Sequence, residues 1–208
     1  MKTEKINKSI FPIIMTFIVF IVIQFDAAAL IIPNQIAAMV ITPILWGIGA
    51  IYILINTKKI NETDMLYNNS PLTSRDGLTL FFVIAGGVAM ALSNFLYANS
   101  LPLFVREICS PYPLYDIRNI IYYPLEVLLM LELLIYSQKA GETLTKKNAF
   151  PWGAIALFVL WGLPHILWHG YPDGVVSALR AFIYSIPFYS SGKNIKTSYI
   201  GMLILWFL

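Results

Sequence analysis

Glu126 and Glu132 lie within YYPLEVLLMLELL, and His165 and His169 within WGLPHILWHG. Carboxylates and imidazoles move protons, activate water and bind metal, and here they sit inside apolar runs. Six residues turn a helix by about 600°, so the two glutamates point about 120° apart and do not readily share one small site. Glu126 is flanked by apolar residues and is the candidate base; Glu132, nearer the end of its segment, reads as structural. The histidines are four residues apart and share a helix face, a spacing that binds a divalent metal such as zinc when a third ligand joins. The glutamate of the zinc-protease motif is missing, since Ile166, Leu167 and Trp168 stand between them. His169 precedes Gly170, Tyr171 and Pro172, a helix-ending sequence, so His165 is the one at depth. Arg180 is poised either to snorkel outward or to pair with Glu126 or Asp173. The chain has no nucleophile elbow, phosphate loop, cysteine pair or GxGD motif. Its single cysteine, Cys109, excludes an intrachain disulfide and reads as a small apolar residue.

The elements that position these groups follow from composition. Of 208 residues, 58% are hydrophobic and 12% charged, and mean hydropathy is +0.72. Soluble domains carry about 25% charged residues. So much apolar surface implies lipid as solvent and a single domain over residues 1–208. A net charge of +3 is too small to imply a nucleic-acid partner; the lipid bilayer is the expected one.

A bilayer core of about 30 Å takes ~20 apolar residues as a helix. Seven segments qualify as candidate spans: Ile10–Leu30, Ile36–Ile55, Leu78–Ala98, Asn119–Tyr136, Trp152–Trp168, Val175–Ser190 and Thr197–Leu208. The last two are short. The first has a basic start and an AAA at Ala27–Ala29 resembling a cleavage site, but the spans that follow make it a retained helix. With the N-terminus cytoplasmic, eleven of the 14 basic residues fall in inside segments, while Arg106 and Arg118 fall outside and Arg180 within the sixth span. The expected fold is therefore an all-α, polytopic integral membrane bundle of about seven transmembrane helices. It would be multi-pass in the cell membrane, with the C-terminus outside. Asp26 falls near the outer interface. Glu126 and His165 fall in a similar layer of the outer half, where a buried pair would hold two helices together or form a base beside a hydrogen-bond donor. The outer loop NSLPLFVREICSPYPLYD, with three prolines, is the most irregular segment.

The order of these residues resembles the CPBP family of CaaX prenyl proteases and bacteriocin-processing or self-immunity proteins, also called Abi. The family pattern is an EExxxR helix, an FxxxH helix, and a last helix with a histidine and a polar residue four positions on. YPLEVLLML stands in the first place, with Glu126 at the first glutamate, Val127 at the second and Leu131 at the arginine. WGLPH stands in the second, with Trp161 for the phenylalanine and His165 at the histidine. SSGKNIKTSYIGMLILWFL resembles the last helix, where the histidine slot falls near Leu203 or Ile204. The likeness covers residues 118–208, with residues 1–98 as preceding helices. It implies an intramembrane endopeptidase acting on a leader peptide or prenylated protein. Glu126 would activate water, and His165 would bind metal or stabilise the oxyanion. His169 or Tyr184 would substitute for the missing last-helix ligand, with Arg180 supporting. The departures equally allow a non-catalytic immunity or membrane-interaction protein of the same fold.

Overall fold

The computed structural model describes residues 4–25, 35–64, 67–68, 70–72, 74–98 and 113–208. Asp26, Arg106, Cys109 and most of the proline-rich outer loop lie outside the described residues.

Over the described residues, each expected apolar segment forms helix along most of its length. Helix α1 spans Glu4–Ile23, α2 Gln35–Asp64, α3 Ser74–Ala98 and α4 Pro113–Thr145. Helix α5, Trp152–Leu157, runs into a π-helical turn at Phe158–Gly162, which leads to α6 at His165–His169. Helices α7, Tyr171–Ser190, and α8, Ile195–Phe207, complete the chain. Among the described residues there is no strand, only an isolated bridge between Asn68 and Asn194. The fold is all-helical. Among the described residues, two windows are long and apolar enough to cross a membrane, Val40–Lys59 and Ile120–Thr145. The apolar stretches Ile10–Ile23, Asp76–Val88, Trp152–Leu167 and Ile195–Phe207 are shorter.

Helix α4 is the centre of the bundle, packed by α1, α2, α5 and α8. From Val127 to Gln138 nearly every side chain is buried, because up to Tyr136 this stretch is apolar all round except for Glu132 and has no face that favours water. Helices α1 and α2 are apolar on both faces: Met15 and Val19 are buried while Ile14, Phe17 and Ile21 are exposed, and Trp46 and Ile53 are buried while Ile44, Ile48 and Ile55 are exposed.

Local chemistry sets the ends. Gly170, at φ 83, ends α6, in a backbone region that glycine adopts at little steric cost. Asn194 caps α8, its side chain accepting from the backbone N–H of Lys196 at 3.0 Å and Thr197 at 3.2 Å. It satisfies donors that the first helical turn leaves unpaired. Helix α4 begins at Pro113 and ends at Thr145, longer at both ends than the span expected from Asn119 to Tyr136.

The fifth segment departs most from expectation. Trp152–Trp168 reads as one continuous helix in the sequence but is broken. The N–H of Leu163 reaches the carbonyl of Phe158 at 2.9 Å, one residue further back than an α-helix allows. Pro164 follows and has no N–H to continue the ladder. After it, Ile166 and Leu167 bond only three residues back. Single π turns of this kind are uncommon and recur at functional sites.

Candidate functional site at Trp161

The π turn carries Trp161, and Trp161 brings the two sequence-selected residues together. Its indole Nε1–H donates to Glu126 Oε1 at 3.1 Å. Its backbone carbonyl lies 2.7 Å from His165 Nδ1. A carbonyl only accepts, so Nδ1 carries the hydrogen of this bond. In the neutral imidazole the Nε2 lone pair is then the one that takes a proton or a metal, an orientation typical of ligating histidines. The Trp161 and His165 rings are 4.5 Å apart. Glu126 and Trp161 are buried, at 5% and 2% exposure; His165 is half-buried.

An aromatic wall closes the site. Tyr184 on α7 and Trp206 on α8 lie 5.9 and 5.7 Å from Trp161, and 5.3 Å from each other. Arg180, one turn before Tyr184 on α7, and Glu126 are both within electrostatic reach of the Tyr184 hydroxyl. The close approach of α7 depends on Gly162: a Cβ there would lie 2.5 Å from the Ala178 Cα. Thus Glu126, His165 and Tyr184 gather around one indole, and Arg180 stands one turn from Tyr184 on α7. His169 closes α6, while its side chain, like those of Arg118 and Asp173, lies outside the described residues. Among the described residues no group of three His, Cys, Asp or Glu stands close enough to hold a metal. At the last-helix histidine slot, Leu203 and Ile204 pack against the core. Trp206 is the residue that α8 brings to the wall.

Glu132 belongs to a different centre, as the angular offset from Glu126 requires. It is fully buried. Thr57 Oγ1 on α2 lies 2.8 Å from Glu132 Oε2, 2.7 Å from the Tyr136 hydroxyl and 2.9 Å from the Ile53 carbonyl. Burial pushes the phenol of Tyr67, beyond the end of α2, above its ordinary value, and the Glu132 carboxyl lies within electrostatic reach of it.

A third cluster ties the other end of α4 to α5 and α7. Gln138 Oε1 accepts from the Gly153 backbone N–H at 3.0 Å and the Tyr189 hydroxyl at 2.7 Å. Its Nε2 donates to Glu142 Oε1 at 2.8 Å and the Phe150 carbonyl at 3.0 Å. Lys193 completes the group with an ion pair to Glu142. All four hydrogen-bonding positions of this buried amide are used, which rigidifies the junction.

Sequence reading treated Trp161 only as a substitute for phenylalanine and missed Trp206, Thr57 and Gln138. The signal within reach was the spacing of Trp161 and His165, which places the tryptophan carbonyl under the imidazole one turn on. Comparison of the chain with protein-family models, curated proteins and solved structures gave no match.

Proposed function

We propose that the chain is a CPBP-like intramembrane endopeptidase homologue, built as seven membrane-embedded helices with the N-terminus cytoplasmic and the C-terminus outside. The observation that carries this reading is the convergence of Glu126 and His165, from separate helices, on Trp161. Outward-facing isoleucines and phenylalanines on α1, α2 and α3 support lipid as the surrounding medium. Glu126 acts as general base toward water, with the Trp161 N–H orienting its carboxylate. His165 presents Nε2 as metal ligand or, once protonated, as oxyanion donor. Tyr184 and Arg180 lie within electrostatic reach on the α7 side, where a second donor to developing negative charge would stand. The substrate is a leader peptide or prenylated protein delivered within the bilayer.

A second reading is supported by the last helix. Leu203 and Ile204 occupy the slot of the third ligand, and an apolar wall replaces it. A non-catalytic relative, serving bacteriocin self-immunity or membrane interaction, would keep Glu126 and His165 as a structural pair. One experiment separates the readings. The purified chain and its Glu126→Gln variant are supplied with prenylated and leader-peptide substrates. Cleavage lost in the variant supports the endopeptidase, and equal cleavage by both removes Glu126 as base. No cleavage by either, with raised survival of a bacteriocin-sensitive host expressing the chain, supports the immunity protein.

A further inference from the structure

Glu132 takes no part in the Trp161 site, yet it is the most deeply buried carboxyl among the described residues. Its surroundings fix where hydrogens can be. The Thr57 hydroxyl has one hydrogen and two acceptor lone pairs, and it makes three short contacts. The Ile53 carbonyl can only accept, and so can an ionised Glu132, so the two would compete for the single Thr57 hydrogen; all three contacts are hydrogen bonds only when that hydrogen points to Ile53. Its two lone pairs then face the Tyr136 hydroxyl and Glu132 Oε2, and each of these must donate. Tyr136 has a hydrogen to give. Glu132 has one only as the neutral acid.

The electrostatics agree. As an ion, Glu132 would have one hydrogen bond at most, on Oε2, because Oε1 is buried with no partner among the described residues. Lys193 and Glu142 form an ion pair elsewhere, on the α4–α7 side. A buried, uncompensated carboxylate is far more costly than a neutral acid with one carbonyl oxygen unmet. The titratable groups packed around it are few; Lys58 and Lys59, next to Thr57 on α2, are exposed. Tyr136 lies on α4 itself and Tyr67 follows α2. The described side chains of α1, from Ile10 to Ile23, are all uncharged, as are those of α5. Helix α8 brings Tyr199, whose hydroxyl donates to the Pro124 carbonyl at 3.1 Å, and the exposed Lys196.

We propose that Glu132 is a proton-binding site: Oε2 holds a hydrogen that it donates to Thr57 Oγ1, and this shared hydrogen locks α2 onto α4. The site is independent of the Trp161 centre. Losing the proton would withdraw one of the two bonds that Thr57 accepts and set a bare charge between the two helices. A proton is the ligand the geometry fits. The three oxygens around Thr57 already lie at hydrogen-bonding distance from it, and a metal ion would have to displace the hydroxyl from Ile53.

The test uses the full chain in lipid nanodiscs at neutral pH. Infrared difference spectroscopy compares the wild type with Glu132→Gln. The expected result is loss, in the variant, of a carbonyl band of a protonated carboxylic acid, with the carboxylate bands unchanged. Loss of carboxylate intensity instead would overturn the proposal. The carboxamide N–H of the variant can donate to Thr57 as the neutral acid does, so Glu132→Gln is expected to fold and to melt within a few degrees of the wild type. Its failure to fold would equally overturn the assignment. Glu126→Gln provides the control for a second buried carboxyl and is expected to leave the Glu132 band in place.

Discussion

Trp161 donates its indole N–H to Glu126 across 3.1 Å, and it does so from a π turn rather than from a regular helix. The extra residue in the turn changes the facing of Trp161 relative to α5. The same residue holds His165 through its carbonyl. One tryptophan therefore orients both polar groups at once, and its removal should affect them together.

Trp161→Phe keeps the ring near His165, Tyr184 and Trp206 but leaves a Glu126 oxygen without its indole donor. We expect a loss of about 1–3 kcal/mol in stability, the cost of removing the indole donor from a buried carboxyl. Melting in detergent measures it. In a Glu126→Leu background the same change should cost clearly less; an undiminished cost would show that packing, not the hydrogen bond, is what matters.

Gly153→Ala should destabilise by about 1–3 kcal/mol through overpacking. The new Cβ would lie 2.5 Å from the Leu134 carbonyl oxygen and 3.0 Å from the Tyr189 hydroxyl. Gly47→Ala, on α2, meets nothing within 4 Å and should instead gain about 0.5–1 kcal/mol by reducing backbone freedom in the unfolded chain. Paired melts of the two variants give the contrast.

Tyr189→Phe removes a hydroxyl that donates to Gln138 and accepts from the Ala154 N–H at 3.2 Å. The α4–α5 junction should loosen, with about 1–3 kcal/mol of local stability lost. Trypsin reports it, because Lys146 and Lys147 lie in the adjoining turn. Faster cleavage there is expected, and an unchanged rate would show that the amide network holds without the phenol.

Lys146 has φ 61, a left-handed conformation that is strained for a side-chain-bearing residue. Lys146→Gly should raise stability by about 1 kcal/mol. Lys193 has φ 64 but also pairs with Glu142, so Lys193→Gly should gain less. Thermal melts that rank the two in the opposite order would contradict this assignment.

A reporter fused after Lys147 should read cytoplasmic, since the basic residues around the α4–α5 turn belong to the inner side under the positive-inside rule. A reading from the outer side would invert the proposed orientation and move the Trp161 site to the cytoplasmic half.

Hydropathy alone determined that the chain is helical and where its segments run, because each segment carries its own apolar excess. It also marked Glu126 and His165, since ionisable groups stand out against apolar neighbours. Helix periodicity separated Glu126 from Glu132, and from their shared helix α4 they face different neighbours accordingly, Trp161 and α2. Nothing local in WGLPHILWHG reports that Trp161 faces Glu126. That contact depends on a π turn, on Pro164 and on a glycine that lets α7 approach. Likewise Thr57 meets Glu132, and Gln138 meets Gly153 and Tyr189, only where helix crossings bring distant positions together. Period and composition are properties of one segment. A hydrogen bond between helices is set by crossing point and rotation, which only the packed bundle decides.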